Sequence, residues 1–135
     1  MKIVLDTNCL IQSIPKRSRY HEAWESFENG TNTLCVSTEI LEEYMEILQR
    51  LIGNTAADVI IKSIINSPFV EFVTPYYRFN LIATDPDDNK FVDCAIAANA
   101  RYVVTNDHHY EILTSIHFPH VDVITLQGFI EILHS

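Results

Sequence analysis

Short apolar runs alternate with longer stretches of helical pattern along the whole chain, and that alternation limits the folds open to it. The runs are Lys2–Leu5, Thr33–Val36, Val70–Val73, Tyr102–Thr105 and Val121–Ile124. Between them the spacing of caps and apolar residues predicts helices over His21–Asn29, ended by Gly30, and from a Ser37 cap to about Ile52, ended by Gly53. Further helices are predicted over Thr55–Ile65, stopped near Pro68, and from the Asp85-Pro86 cap and first turn to about Ala100. A short helix over His108–Thr114 and a last one over Leu126–Leu133 complete the pattern, with Tyr76–Thr84 read as a loop. The strands are nearly continuous in apolar character rather than alternating, as when both faces of a sheet are covered. That implies an α/β architecture around a mainly parallel sheet.

A chain of 135 residues, 47% hydrophobic and 20% charged, reads as one globular domain over residues 1–135. No run approaches the roughly 18 apolar residues a membrane span needs. The N-terminus carries one Lys and a short apolar stretch that Asp6 interrupts, which is not a signal-peptide pattern, so the expected location is the cytoplasm. The net charge of −9 argues against broad electrostatic adhesion to nucleic acid. An enzyme acting on nucleic acid stays open, since bound metal would cancel part of that charge. Cys9, Cys35 and Cys94 form no Cys-x-x-Cys pair and are read as buried apolar thiols.

Several acidic residues stand where strand and helix meet. Asp6 and Asp107 directly follow apolar strands, a place where aspartate also caps turns and helices. On the long helix, Leu41, Tyr44, Met45, Leu48 and Ile52 form the predicted buried stripe. Glu39 and Glu46 lie opposite it, while Glu42 and Glu43 flank it, and periodicity does not choose between these two. Asp93 sits on a helix that is apolar nearly all round, and a carboxylate there needs a partner. Asp87 and Asp88 are read as first-turn acids that favour the helix dipole, with Asp88 kept open as an extra member of the cluster. Function in a parallel sheet gathers at the carboxyl ends of the strands; Asp6 and Asp107 follow strands there, and the helices of Glu43 and Asp93 start at that same edge, so the topology allows these acids to converge. Converging carboxylates repel one another unless a cation lies between them, and hard divalent ions choose such oxygen ligands.

Taken in order, these segments resemble the PIN-domain family of metal-dependent ribonucleases. The resemblance rests on Val4-Leu-Asp-Thr-Asn-Cys-Leu10, on Ser37 followed six positions later by Glu43, on Asp93-Cys-Ala-Ile-Ala-Ala98 and on Val103-Val-Thr-Asn-Asp107. It selects Glu43 over Glu42. The segment from Asp85 through Phe91 is similar to a prokaryotic subgroup of toxins from toxin–antitoxin pairs. The match runs from Met1 to about Asp107; Phe118–Ser135 carries no transferable motif.

The resemblance implies a three-layer α/β/α fold and an endoribonuclease that uses Mg²⁺ or Mn²⁺. It further implies an antitoxin partner, an RNA substrate, a homodimer and no membrane association. Asp6, Glu43, Asp93 and Asp107 are then the metal-binding and catalytic acids, with Thr7, Asn8, Thr105 and Asn106 orienting them. The alternatives are a degenerate PIN fold serving as a binding module and a metal-dependent nuclease acting on DNA. His108 and His109 are read as solvated or capping, with contact to substrate or to a softer metal as the minority reading. Lys16, Arg17 and Arg19 form the basic cluster of a solvated loop, with RNA phosphate contact as the lesser alternative. Trp24, Tyr76 and Tyr77 are read as packing or interface residues.

Overall fold

A computed structural model describes residues 1–135. Five strands are present: β1 (Lys2–Leu5), β2 (Thr33–Val36), β3 (Val70–Phe72), β4 (Tyr102–Val104) and β5 (Val123–Ile124). They form one sheet in the order β3-β2-β1-β4-β5, every neighbouring pair parallel. The helices are α1 (Thr7–Ser13), α2 (His21–Glu28), α3 (Thr38–Ile65), α4 (Asn89–Ala98) and α5 (Leu126–His134). Two 3-10 segments, Pro86–Asp88 and His108–Ser115, precede α4 and follow β4. The result is the three-layer α/β/α arrangement around a parallel sheet. No helix is long and apolar enough to cross a membrane.

The absence of alternation in the strands has its physical cause in the layering. Ile3, Val4 and Leu5 on β1 have no exposed surface, and neither do Val103 and Val104 on β4. Burial on both faces removes any polar requirement on either side of the pleat. All three cysteines are buried and free, with burial pushing each thiol up to about 12. They act as small apolar residues.

Three local differences from the sequence reading have physical explanations. Helix α1 starts immediately after Asp6, where a loop was expected; at seven residues it is too short to display a period, and it buries Thr7, Cys9, Leu10 and Ser13. The basic cluster Lys16, Arg17 and Arg19 therefore lies in the connection between α1 and α2, exposed. The buried stripe in the first half of α3 is centred on Ile40, Tyr44 and Leu48, with Ile52 exposed beside the break at Gly53 (φ 83°, ψ 168°), and Ala57, Ile61 and Ile64 return to the core beyond it. The backbone region of Gly53 is open essentially only to glycine. The helix expected from Asp85 begins as a 3-10 turn, and the α period starts only at Asn89.

Gly30 ends the turn after α2 with φ +82°, and a Cβ built there would stand 2.7 Å from the ring of Phe69. Both the left-handed backbone and the ring oppose a side chain. Gly30→Ala is expected to cost about 1–2 kcal/mol, from the backbone term alone. Chemical denaturation would show it as a lower midpoint with an unchanged slope.

Candidate active site

Strand order places the switch in connection direction between β1 and β4. From β1 the chain winds outward to β2 and β3, then returns to lay β4 against the other side of β1 and continues to β5. A crevice opens at the carboxyl ends of the strands at such a point. Asp6 follows the last residue of β1, and Thr105-Asn106-Asp107 follow β4. Leu5 and Val104 are register partners, and the Asp6 N–H donates to the Val104 carbonyl at 3.0 Å, so the two acidic segments leave the sheet side by side. An open cleft of about 550 Å³ lies here, bordered by Asp6, Asn8, Asn106 and Asp107.

Each acid is held by named groups. Asp6 is 8% exposed and accepts a 2.7 Å hydrogen bond at Oδ2 from the Thr105 hydroxyl. That hydroxyl in turn accepts from the Asp107 N–H at 3.0 Å, so one threonine joins both strand-end acids. Burial raises the Asp6 carboxyl above its ordinary value; the Thr105 hydroxyl and the Thr7 N–H oppose the rise, and the charges of Glu43 and Asp107 add to it. Glu43 reaches the same place from α3. The Thr7 hydroxyl donates to its Oε2, and Lys90 Nζ lies 2.7 Å from its Oε1. Glu42, by contrast, is exposed. Asp107 caps the following 3-10 segment, accepting from the His109 N–H at 2.9 Å. Thr7 and Thr105 each donate a side-chain hydrogen bond to a carboxylate. The Asn106 side chain instead accepts from the Leu126 N–H at 3.0 Å and fixes the start of α5, while Asn8 lines the cleft, exposed.

Asp93 is not brought to this cluster. Its Oδ1 accepts from the Phe79 N–H at 3.2 Å, and it lines a separate polar pocket with Ser37, Glu39, Pro75, Arg78 and Lys90. The charges nearest it are those of Arg78 and Glu39, not those of Asp6 or Asp107. The partner that its apolar helix demanded is thus the loop before α4, whose backbone it ties down.

Asp88 takes the place beside Asp6. It is 9% exposed, and its Oδ2 is buried without a hydrogen-bond partner. Burial, then the charges of Asp85, Asp107 and Asp6, push its carboxyl up to about 7. One ligand atom from each of Asp85, Asp88, Asp107 and His109 lies within 4.8 Å of the others. An α-helical period does not identify Asp88, because it sits in the 3-10 turn, whose residues are rotated relative to the helix that follows. The readable signal was the acidic set Asp85, Asp87 and Asp88 packed into the start of an apolar helix. Of these, Asp87 is exposed, in keeping with a first-turn role.

The arrangement has the donors a hard divalent ion takes. Four carboxylates approach one another from β1, α3, the 3-10 turn and the end of β4, and one buried oxygen among them has nothing to bind. An unpaired buried carboxylate costs several kcal/mol unless a cation meets it. Asp85, Asp88 and Asp107 bring oxygens close enough together for such a cation, with Asp6 beside them, while Glu43 already faces the ammonium of Lys90.

A sequence profile of the family described as PIN domain matches residues 2–109. No curated protein matches the chain by sequence. Among solved structures, the fold is similar to VapBC2 from Rickettsia felis bound to a DNA fragment from its promoter, with a TM-score of 0.65, 19% identity, and 93% of this chain and 98% of that chain covered. DNA-bound VapBC from Salmonella typhimurium gives 0.65 at 18% identity over the same shares, 93% and 98%. The sarcin-ricin-loop-cleaving toxin VapC20 of Mycobacterium tuberculosis gives 0.56 at 18% identity, covering 81% of this chain and 92% of that one.

Proposed function

The chain belongs to the PIN domain family, and from that premise we propose that it is a divalent-metal-dependent endoribonuclease, the toxin of a toxin–antitoxin pair. The observation that carries the reading is Asp88, a buried carboxylate with a free oxygen set among Asp6, Asp85 and Asp107. One domain over residues 1–135 carries the whole site in this reading. Asp85, Asp88 and Asp107, with Asp6 beside them, would hold the ion, and Glu43 stands at the border of the site. A bound Mg²⁺ or Mn²⁺ supplies an acidified water and neutralises charge on the phosphate undergoing attack.

The protein's own groups set the geometry. Thr105 holds Asp6 and the start of the Asp107 segment together, so both carboxylates face one point. Thr7 and Lys90 pin both oxygens of Glu43 and keep its charge from adding fully to the repulsion. The half-buried setting strengthens every interaction with a phosphate brought into the cleft. The RNA substrate is supported by the family and by the similar fold of a toxin that cleaves the sarcin-ricin loop. An antitoxin partner is supported by the similar folds found within VapBC structures.

RNA and DNA oligonucleotides of the same sequence, incubated with protein in Mg²⁺, Mn²⁺ or EDTA, test the activity. RNA cleavage that needs the metal is expected. Asp6→Asn is expected to reduce it more than about a hundredfold, since loss of groups that merely orient ligands already costs about 10–100-fold. Equal cleavage by Asp6→Asn rejects the site. Preference for DNA would indicate a deoxyribonuclease, and metal binding without cleavage a binding module.

A further inference from the structure

His109 has a role that the four-acid reading leaves out. Its Nδ1 is buried and makes no hydrogen bond, although it lies 3.1 Å from Asp107 Oδ1. That oxygen already accepts the His109 backbone N–H. Asp85, Asp88 and Asp107 surround the imidazole nitrogen with ligand atoms, all within 4.8 Å of one another. The carboxylate oxygens gathered at His109 are negatively charged, and a cation among them would meet both those oxygens and a ring nitrogen.

The distances suit an ion in that position. Atoms about 2.1 Å from an octahedral ion lie about 3.0 Å apart when adjacent and about 4.2 Å apart when opposite. The contact between Nδ1 and Asp107 Oδ1 has the adjacent spacing, and no two ligand atoms of the cluster lie more than 4.8 Å apart. The Asp88 oxygen without a partner is a second, independent sign that this point expects a cation. The backbone accounts for the direction of the ring: Asp107 caps the 3-10 segment that begins at His108, and that turn brings residue 109 back over the carboxylate that caps it. His108 lies next in the chain but is exposed, its ring centroid 4.6 Å from that of His109 and tilted 43° to it.

We propose that His109 Nδ1 is a direct metal ligand and that it tunes the site to Mn²⁺ over Mg²⁺. The inference rests on the divalent-metal reading above and names the ion. Mg²⁺ strongly prefers oxygen and keeps water where a nitrogen is offered, so the imidazole contributes little to its binding. A transition-metal ion of the same charge accepts imidazole alongside carboxylates.

Titration calorimetry with MnCl₂ and MgCl₂, joined to pulsed electron paramagnetic resonance of the Mn²⁺-loaded protein, tests it. Wild type is expected to bind Mn²⁺ with a nitrogen hyperfine coupling. His109→Ala is expected to lose that coupling and about 10- to 100-fold in Mn²⁺ affinity, with Mg²⁺ affinity changed less than about threefold. His109→Gln restores a side chain of similar reach with an oxygen donor, and is expected to recover Mn²⁺ binding without the coupling. His108→Ala keeps both. Mn²⁺ bound to wild type without nitrogen coupling makes His109 an ion-pair partner of Asp107 and overturns the assignment, as does a coupling that survives His109→Ala. No divalent binding by folded wild type rejects the metal reading itself, a different outcome from either.

Discussion

Asp88→Asn is expected to silence cleavage and, in the same protein, to raise the melting temperature at pH 8 in EDTA. The fold holds the Asp88 carboxyl at about 7 against an ordinary value of 3.8. The protonated form is therefore the one the native state favours. Stability associated with that preference is complete below about pH 4 and is lost as the pH rises through about 7. Three units correspond to a ceiling of about 4 kcal/mol, since each unit is about 1.4 kcal/mol. Sharing of charge with Asp85, Asp107 and Asp6 leaves an expected gain for the neutral amide of on the order of 1–3 kcal/mol. At about 2–5 °C per kcal/mol for a chain of this size, thermal scans resolve it. The gap between variant and wild type should close as the pH falls towards 4. With metal present the order reverses: wild type gains stability from the ion, about 2.7 kcal/mol at a hundred times Kd, and the variant does not. A variant less stable than wild type at pH 8 in EDTA would show that Asp88 is not a strained ligand. Asp93→Asn is the companion measurement. An amide oxygen still accepts from the Phe79 N–H, so cleavage is expected to stay within about tenfold of wild type.

The largest loss of stability is expected at Tyr44. Its side chain has no exposed surface, and its hydroxyl donates to the Leu5 carbonyl at the end of β1. It stands next to Glu43 on α3, and Leu5 stands next to Asp6, so one buried contact locks the two elements that bring these acids together. Tyr44→Ala is expected to cost about 3–5 kcal/mol through the cavity and the lost bond. That is a large part of the roughly 5–15 kcal/mol that holds an ordinary domain. Tyr44→Phe keeps the volume and is expected to cost about 1–2 kcal/mol, with a fall in cleavage rate because Glu43 loses its register against Asp6. Urea midpoints for the two variants, with rates measured where both are folded, separate packing from positioning. Equal midpoints for Phe and wild type would show that the hydroxyl bond is idle.

Most of the fold was legible because the strands are short, apolar and bounded by caps. Ser37 accepts from the Ile40 N–H as a cap should, and Gly53 breaks the long helix where the sequence places a stop. The elements missed or misplaced are those without a period to read. Helix α1 has two turns, β5 has two residues, and the 3-10 turn before α4 has three. The last of these mattered most. Counting back from the apolar face of α4 made Asp93 the residue out of place and left Asp88 as a dipole acid. Asp93 was indeed buried and in need of a partner, but burial does not say which partner, and the loop carrying Phe79 arrives from outside the helix.

The chain's own pattern of residues determined that a parallel sheet would form, that Asp6 and Asp107 would each follow a strand, and that Thr7 and Thr105 would stand beside them in the chain. Those are local matters of strand composition, capping and adjacency along the backbone. The tertiary structure alone decided which other acids meet them. Direction in space accumulates over every turn between distant residues, and a three-residue change of helical pitch at Pro86–Asp88 is enough to aim Asp88 into the crevice while Asp93 faces a loop. The same applies to His109, whose ring reaches the carboxylates only because Asp107 caps the turn that carries it.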